Sequence, residues 1–170
     1  LEWLAREPLN ILIAEDNEIN QMIINTMLTP LGHTFSFVGN GREAVDRLSA
    51  STADFDLVLM DIRMPEMSGI EATRLIRALD DEISAIPIIA LTADAMSENR
   101  KEYADAGMDD CVTKPIDRRE LMITINAVIG RTILITQPAS EALDAPQTDM
   151  DQTADAEISD DVLAFLSQEN

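Results

Sequence analysis

The amino-acid sequence predicts an α/β protein whose core is a doubly wound parallel β-sheet. Two observations predict this fold class. Five short apolar runs recur at intervals of about 20 to 30 residues, and the segments between them have the period of amphipathic helices. Strands that alternate with helices form a parallel sheet with right-handed crossovers and helices on both faces. A length of 170 residues allows one main domain and a tail.

The five apolar runs have the composition of β-strands. They are LNILIA (9–14), TFSFV (34–38), DLVLM (56–60), PIIAL (87–91) and CVT (111–113). Three of the runs are almost continuously apolar, which is typical of parallel strands that are covered on both faces. TFSFV instead alternates in polarity, which indicates a strand at the edge of the sheet.

Two of the intervening segments show helical periodicity most clearly. Their apolar residues lie three and four positions apart: Ala72, Leu75, Ile76 and Leu79 in one, and Leu121, Ile125, Val128 and Ile129 in the other. Asp117 and Glu120 resemble a capping box at the start of the last helix, and Gly130 is the expected end of that helix. The β-α order therefore repeats five times within residues 9–130, after a short N-terminal linker at 1–8.

Residues 131–170 differ from the rest of the chain. They contain nine acidic residues and one basic residue, together with Pro, Ala, Thr, Ser and Gln. This composition predicts a flexible, disordered acidic tail. Within it, ISDDVLAFLSQ (158–168) has the pattern of a short amphipathic helix. Two interpretations stay open: a frayed helix in the tail, or a helix that opens a following domain or docks on a partner.

Composition excludes several classes of function. Acidic residues outnumber basic ones by 32 to 12, and a net charge of −20 argues against direct nucleic-acid binding. No apolar run approaches the roughly 18 residues that span a bilayer, so we expect a soluble segment without membrane contact. A single cysteine, Cys111, and no visible signal peptide indicate a cytoplasmic location. Since the chain begins LEWLAREP without Met, we expect it to be cut from a longer polypeptide.

Polar residues follow four of the predicted strands, at the point where each strand ends. Glu15 and Asp16 follow the first strand, Asp61 the third, Thr92 the fourth and Lys114 the fifth. The carboxyl ends of parallel strands share one edge, which is where ligands bind in such sheets. Neighbouring carboxylates repel unless a cation lies between them, and oxygen ligands of this kind suit Mg²⁺. Lys114 and Thr92 suit phosphate oxygens, which leaves Asp61, after the most apolar strand, as the predicted nucleophile.

The sequence resembles the receiver domains of two-component response regulators and hybrid histidine kinases. The resemblance covers residues 9–130. It rests on LIAEDN (12–17), VLMDIRMPEMSGIEATRLIR (58–77), PIIALTADA (87–95) and GMDDCVTKPID (107–117), in that order. It implies a flavodoxin-like fold with strand order 2-1-3-4-5.

The same resemblance implies a role for each site residue. Asp61 takes a phosphoryl group from a phosphohistidine; Mg²⁺ is held by Glu15, Asp16, Asp61 and the backbone carbonyl of Arg63. Thr92 is the switch hydroxyl and Lys114 binds phosphate, and the Lys114–Pro115 bond is cis. The resemblance also implies self-phosphorylation and slow autodephosphorylation, by a segment of a histidine kinase in the hybrid setting. Its partners are a histidine kinase or histidine phosphotransfer protein and a downstream effector protein.

Two residues depart from the family pattern. Cys111 stands in the last strand where an aromatic residue is usual. In the family, that aromatic ring turns inward as the switch threonine moves, and Cys111 has no ring to do so. We expect Cys111 to be a small buried apolar residue. Ser68 stands where Asp or Asn is frequent, and we expect it to alter only the turn.

The biological setting admits alternatives. AEDNEINQ (14–21) favours the C-terminal receiver of a hybrid sensor histidine kinase. A stand-alone response regulator is one alternative, and an aspartyl-phosphate phosphohydrolase is another. The second is disfavoured because Arg63 occupies the position, two residues after the nucleophile, where that class of enzyme has an acid.

The remaining candidates are assigned structural roles. His33, the single histidine, lies between the first helix and the second strand, so we expect a surface loop residue remote from the acidic edge. Met22, Met27 and Met60 occupy apolar-periodic positions, which predicts that they fill the core.

Overall fold

The computed structural model describes residues 8–50, 54–94 and 96–136, and its core is a five-stranded parallel sheet. The strands are β1 (Asn10–Ala14), β2 (Thr34–Val38), β3 (Leu57–Asp61), β4 (Ile88–Thr92) and β5 (Asp110–Thr113). Their order in the sheet is β2-β1-β3-β4-β5, and every neighbouring pair is parallel. The predicted fold class, strand order and edge position of the second strand are confirmed.

Five helices connect and cover the strands. They are α1 (Glu18–Leu28), α2 (Gly41–Ser49), α3 (Gly69–Arg77), α4 (Ser97–Ala106) and α5 (Arg118–Thr136), with short 3₁₀ turns at Thr29–Leu31 and Glu82–Ala85. Successive strand residues point to opposite faces of a sheet, and here both faces are apolar. Leu12, Val58 and Met60 pack in one cluster with residues of α2 and α3. Ile11, Leu59 and Leu91 pack in another with residues of α1 and α5.

Side-chain caps define where the helices begin. Asn17 and Asn40 accept hydrogen bonds from the first-turn amides of α1 and α2. Ser68 forms a capping box with Glu71 at the start of α3. The serine that departs from the family pattern at this position therefore caps a helix as well as belonging to the turn. At α5, the Asp117 carboxylate accepts from the Glu120 amide at 2.9 Å, as the sequence predicts.

The predicted end of the last helix is wrong. Helix α5 continues through Gly130 to Thr136. Glycine inside a helix costs about 1 kcal/mol relative to alanine, which the surrounding helix can absorb. The RTILIT segment that follows contains no proline to force a stop. Residues 1–7 and 137–170, with the predicted helix at 158–168, lie outside the described residues.

Arg77 joins the end of α3 to the segments that flank β4 and β5. Its guanidinium donates to the carbonyls of Gly107 at 2.9 Å, Ser84 at 2.8 Å and Ile86 at 2.7 Å. It also pairs with Asp109 at 3.2 Å. Burial lowers the pKa of Arg77, although the nearby Asp109 carboxylate opposes this shift. One side chain thus satisfies three carbonyls that no β-ladder satisfies.

His33 lies at the opposite end of the sheet from the acidic edge, before β2. It is half-buried, and its Nδ1 accepts a hydrogen bond from the Leu9 amide at 3.0 Å. Burial lowers the pKa of His33. His33 is therefore remote from the acidic edge, as the sequence predicts. It is not a fully exposed loop residue, because it is half-buried and its side chain accepts a hydrogen bond next to the start of β1.

Among residues 8–50, 54–94 and 96–136, no helix combines the length and the apolar character needed to cross a bilayer.

Candidate functional site

The carboxyl ends of the strands surround a cleft of about 520 Å³. Its lining includes Glu15, Asp16, Asp61, Arg63, Thr92 and Lys114. The polar residues that follow four different strands in the sequence therefore meet in one place, as the sequence predicts. The convergence follows from the parallel order, because β1, β3, β4 and β5 all end at this edge.

Asp61 is the last residue of β3 and is 5% exposed. Its Oδ1 accepts a hydrogen bond from the Arg63 amide at 3.2 Å, and its Oδ2 accepts one from Lys114 Nζ at 2.9 Å. Burial raises the pKa of Asp61 above its ordinary value, the charge of Glu15 adds to this, and Lys114 opposes it. The carboxylate is thus oriented from both sides and is more basic than a solvated aspartate.

Gly69 allows the chain to turn tightly beside the end of β3. Its amide donates to the Ile62 carbonyl at 3.0 Å. A Cβ at this position would overlap the Asp61 carbonyl oxygen, so only glycine permits α3 to begin so close to the strand. The position of Asp61 therefore depends on a residue that has no side chain.

Glu15 is fully buried at the end of β1. Its Oε1 accepts from the Asn17 amide at 3.0 Å. Its Oε2 lies 2.8 Å from Lys114 Nζ as an ion pair, without hydrogen-bond geometry and with no other partner among the described residues. Burial alone would raise the pKa of Glu15, but Lys114 and the Asn17 amide hold it below its ordinary value.

Lys114 bridges the two buried carboxylates. Its side chain is 20% exposed, and its Nζ lies 2.8 Å from Glu15 Oε2 and 2.9 Å from Asp61 Oδ2. Burial would lower the pKa of Lys114, yet the two carboxylates together raise it. The peptide bond between Lys114 and Pro115 is cis, as the resemblance implies.

The three acidic residues have the arrangement that a hard cation needs. Glu15, Asp16 and Asp61 each offer a carboxylate oxygen, and these atoms lie within 4.8 Å of one another. Asp16 is exposed to the cleft, whereas Glu15 and Asp61 form its floor. Glu15 Oε2 forms an ion pair with Lys114 but accepts no hydrogen bond, so it keeps acceptor capacity for a cation, and carboxylate oxygens are the ligands Mg²⁺ prefers. The residues present therefore fit a divalent cation.

Thr92 ends β4 and is 3% exposed. Its hydroxyl lies 2.9 Å from the Asp94 carbonyl and accepts from the Asp94 amide at 3.1 Å. It also lies 2.8 Å from the hydroxyl of Tyr103 in α4. Sequence reasoning missed Tyr103, although it is the single tyrosine of the chain.

Cys111 in β5 is buried, which confirms its predicted character. Burial raises the pKa of its thiol.

Comparison with known proteins agrees with this geometry. The family model described as the response regulator receiver domain matches residues 11–126. This chain belongs to the response regulator receiver family. This chain is 42% identical over 130 residues to the hybrid signal transduction histidine kinase I of Dictyostelium discoideum, and the match covers 74% of this chain and 8% of that protein. In the relatives compared, the chain spans between 4% and 19% of their length.

Two solved structures are informative about the receiver. One is the receiver domain of sensor histidine kinase PA1611 from Pseudomonas aeruginosa PAO1, with magnesium coordinated in its active-site cleft. It has 41% identity and a TM-score of 0.65, and the match covers 73% of this chain and 99% of that one. The other is the Saccharomyces cerevisiae complex of the histidine phosphotransfer protein Ypd1 with the Ssk1 receiver domain. It has 29% identity and a TM-score of 0.66, covering 76% and 94%.

Proposed function

We propose that this receiver is a phosphoacceptor in a phosphorelay and that Asp61 takes a phosphoryl group from a histidine of a partner protein. The observation that carries the proposal is the placement of Asp61 on the floor of an open cleft, with Oδ2 2.9 Å from Lys114 Nζ and a second buried carboxylate beside it. Membership of the receiver family supports it.

The chemistry follows from the groups around Asp61. One carboxylate oxygen of Asp61 forms a bond to phosphorus while the P–N bond to the histidine breaks, and the electron pair returns to the imidazole nitrogen. Lys114 then lies where a phosphoryl oxygen requires positive charge, and Thr92 lines the same cleft with a hydroxyl to donate. Lys114 therefore exchanges its contact with Asp61 Oδ2 for one with the phosphoryl group.

Glu15, Asp16, Asp61 and the backbone carbonyl of Arg63 are the proposed Mg²⁺ ligands. When bound, the ion supplies positive charge to the phosphoryl oxygens and offsets the repulsion among the carboxylates. This proposal is supported by the clustered carboxylate oxygens and by the magnesium in the cleft of the PA1611 receiver. Arg63 lines the cleft, and its amide already contacts Asp61.

We assign two activities to the receiver itself: self-phosphorylation from small donors, and autodephosphorylation by slow hydrolysis of the resulting acyl phosphate. A general phosphohydrolase is not favoured. Such an enzyme needs an acid two residues after the nucleophile, and that residue is Arg63.

The histidine-bearing partner must enter the mouth of the cleft, and the adjoining surface of α1 is apolar. Ile19 and Met22 are each 69% exposed and Ile23 is 39% exposed, at helical spacings that share one face. Asn17 and Asn20 of the same segment line the cleft. The prediction that Met22 fills the core is wrong, whereas Met60 is fully buried and Met27 is partly so. We propose that this α1 face docks a histidine kinase or a histidine phosphotransfer protein.

The wider setting is also proposed from the comparisons. The chain is the C-terminal receiver of a hybrid sensor histidine kinase, working in the cytoplasm, and a downstream effector protein senses its phosphorylated state. Its similarity to a Dictyostelium hybrid kinase supports this placement over a stand-alone response regulator.

The test compares wild type with Asp61→Asn and with the exposed Asp105→Asn as a matched control. With Mg²⁺ and acetyl phosphate, we expect one acyl phosphate in wild type and in Asp105→Asn and none in Asp61→Asn, measured by intact mass and by lability to hydroxylamine. Equal labelling of all three proteins would refute the assignment. A second variant, Ile19→Asp, tests the α1 face. It should lower transfer from a phosphorylated histidine phosphotransfer protein, and this decrease should be at least about fivefold larger than any decrease in its labelling by acetyl phosphate.

A further inference from the structure

The last strand of this receiver has no aromatic side chain next to the site, yet a tyrosine reaches it from a helix. Position 111 in β5 is a buried cysteine. Tyr103 lies in the last turns of α4, is 6% exposed and is the single tyrosine of the chain. Its hydroxyl lies at the end of β4, within reach of the threonine in the cleft.

Three oxygen atoms form a closed hydrogen-bonded group at this point. The hydroxyls of Thr92 and Tyr103 are 2.8 Å apart, and each lies near the Asp94 carbonyl, at 2.9 Å and 3.2 Å respectively. Each hydroxyl carries one proton. Thr92 therefore cannot donate to a new acceptor in the cleft and keep its donated bond within this group.

Tyr103 lines two cavities. One is the cleft that contains Asp61, and the other is a cavity of about 130 Å³ between α4 and β5. Tyr103 lines both, and Met108 and Cys111 line the second. Because cysteine is small, the ring has free volume on its outer side that a larger residue at position 111 would fill.

We propose that Tyr103 is a positioning residue for the phosphorylation of Asp61, and that its ring moves when Thr92 turns to the phosphoryl group. The inference rests on the proposed function. In the unmodified protein, the Tyr103 hydroxyl holds Thr92 in its present rotamer. When Thr92 donates to a phosphoryl oxygen on Asp61, it leaves this group, and the Tyr103 ring shifts toward the cavity beside Cys111.

The test uses beryllofluoride with Mg²⁺ as a phosphoryl mimic and the Tyr103 ring as its own reporter. Labelling tyrosine with ¹³C at Cζ gives one NMR resonance in the whole chain. We expect this resonance to shift in step with occupancy of Asp61. In Thr92→Val the resonance should already be displaced without beryllofluoride, and Thr92→Ser, which keeps the hydroxyl, should restore the wild-type position and response.

Tyr103→Phe removes the hydroxyl and keeps the ring. Since one hydrogen bond that favours the unmodified state is lost, we expect the apparent affinity for beryllofluoride to increase by about two- to tenfold. The urea midpoint of Tyr103→Phe checks that the variant folds. If it does not fold, the wild-type resonance still decides the question.

The outcomes separate the two proposals. If the amide resonances around Asp61 do not respond to beryllofluoride in wild type, and acetyl phosphate does not label it, the proposed function and this inference both fail. If Asp61 is occupied but the Cζ resonance stays in place, or if Tyr103→Phe binds beryllofluoride no more tightly than wild type, the role of Tyr103 is refuted and the phosphoacceptor function stands.

Discussion

The buried carboxylates of the cleft make Lys114 a structural cation as well as a proposed phosphate ligand. Replacing it by methionine keeps the length of the side chain and removes the charge. Glu15 and Asp61 are 0% and 5% exposed, and the Lys114 side chain is 20% exposed. Removing one partner of a buried ion pair costs about 3–5 kcal/mol. Because Lys114 is partly solvated, we expect Lys114→Met to lose about 3 kcal/mol of unfolding free energy in EDTA.

A proton sets an upper limit on this loss. The two carboxylates can relieve their repulsion if one of them is protonated, which costs about 1.4 kcal/mol for each pH unit above its pKa. At pH 7.5 and an ordinary pKa of about 4, that limit is roughly 5 kcal/mol. The expected loss lies below this limit and below the roughly 5–15 kcal/mol by which native domains are stable, so we expect Lys114→Met to fold.

Magnesium should reverse part of the loss. A ligand that binds only the folded state stabilises it in proportion to the logarithm of its concentration over Kd. In wild type, Lys114 already lies between the carboxylates, and it must share them with the ion. We therefore expect Mg²⁺ to stabilise Lys114→Met more than wild type.

The assay is urea unfolding followed by circular dichroism, in EDTA and in Mg²⁺. The control is Lys101→Met, at the other lysine of the chain, whose side chain is 81% exposed and pairs with Asp105 at 3.8 Å. We expect a change below about 0.5 kcal/mol there. A loss under 1 kcal/mol in Lys114→Met, or equal stabilisation of both proteins by Mg²⁺, would contradict the reasoning.

Two further predictions concern contacts outside the cleft. Arg77→Met leaves three carbonyls without their donor, so we expect it to lose about 2–3 kcal/mol in urea unfolding, while Arg74→Met, exposed on the same helix, changes little; similar losses in both variants would argue against the bridging role of Arg77. His33 has a lowered pKa and accepts from Leu9 in its neutral form, so its contribution is present above its unfolded pKa of about 6.5 and is lost as the pH falls through the folded value. Between pH 7.5 and pH 5.5 the urea midpoint of wild type should fall more steeply than that of His33→Asn, and parallel profiles would show that this histidine does not contribute.

The sheet and the cleft were predictable from local patterns. Continuous apolar runs separated by helical segments specify parallel strands, and parallel strands bring their carboxyl ends together. Four of the five strands are followed by polar residues, such as Asp61 after DLVLM or Lys114 after CVT, and this rule assigns those residues to the same edge. The fold class and the composition of the site were therefore predictable together.

Features that depend on tertiary contacts were not predictable in this way. Helix α4 has little apolar periodicity, so no pattern indicated that Tyr103 would turn inward and reach Thr92. Met22 has the same spacing as a core residue, and only the orientation of α1 distinguishes the two faces. Gly130 is a common stop signal, but whether a glycine ends a helix depends on the sequence that follows it.

The dependence of Asp61 on Lys114, 53 positions later in the chain, has a consequence for biosynthesis. A ribosome releases Glu15 and Asp61 well before the lysine that neutralises them. A growing polypeptide that has exposed only the first three strands holds the acceptor without its counter-charge. Under the proposed function, we expect a nascent chain to accept a phosphoryl group only after its fifth strand has left the exit tunnel.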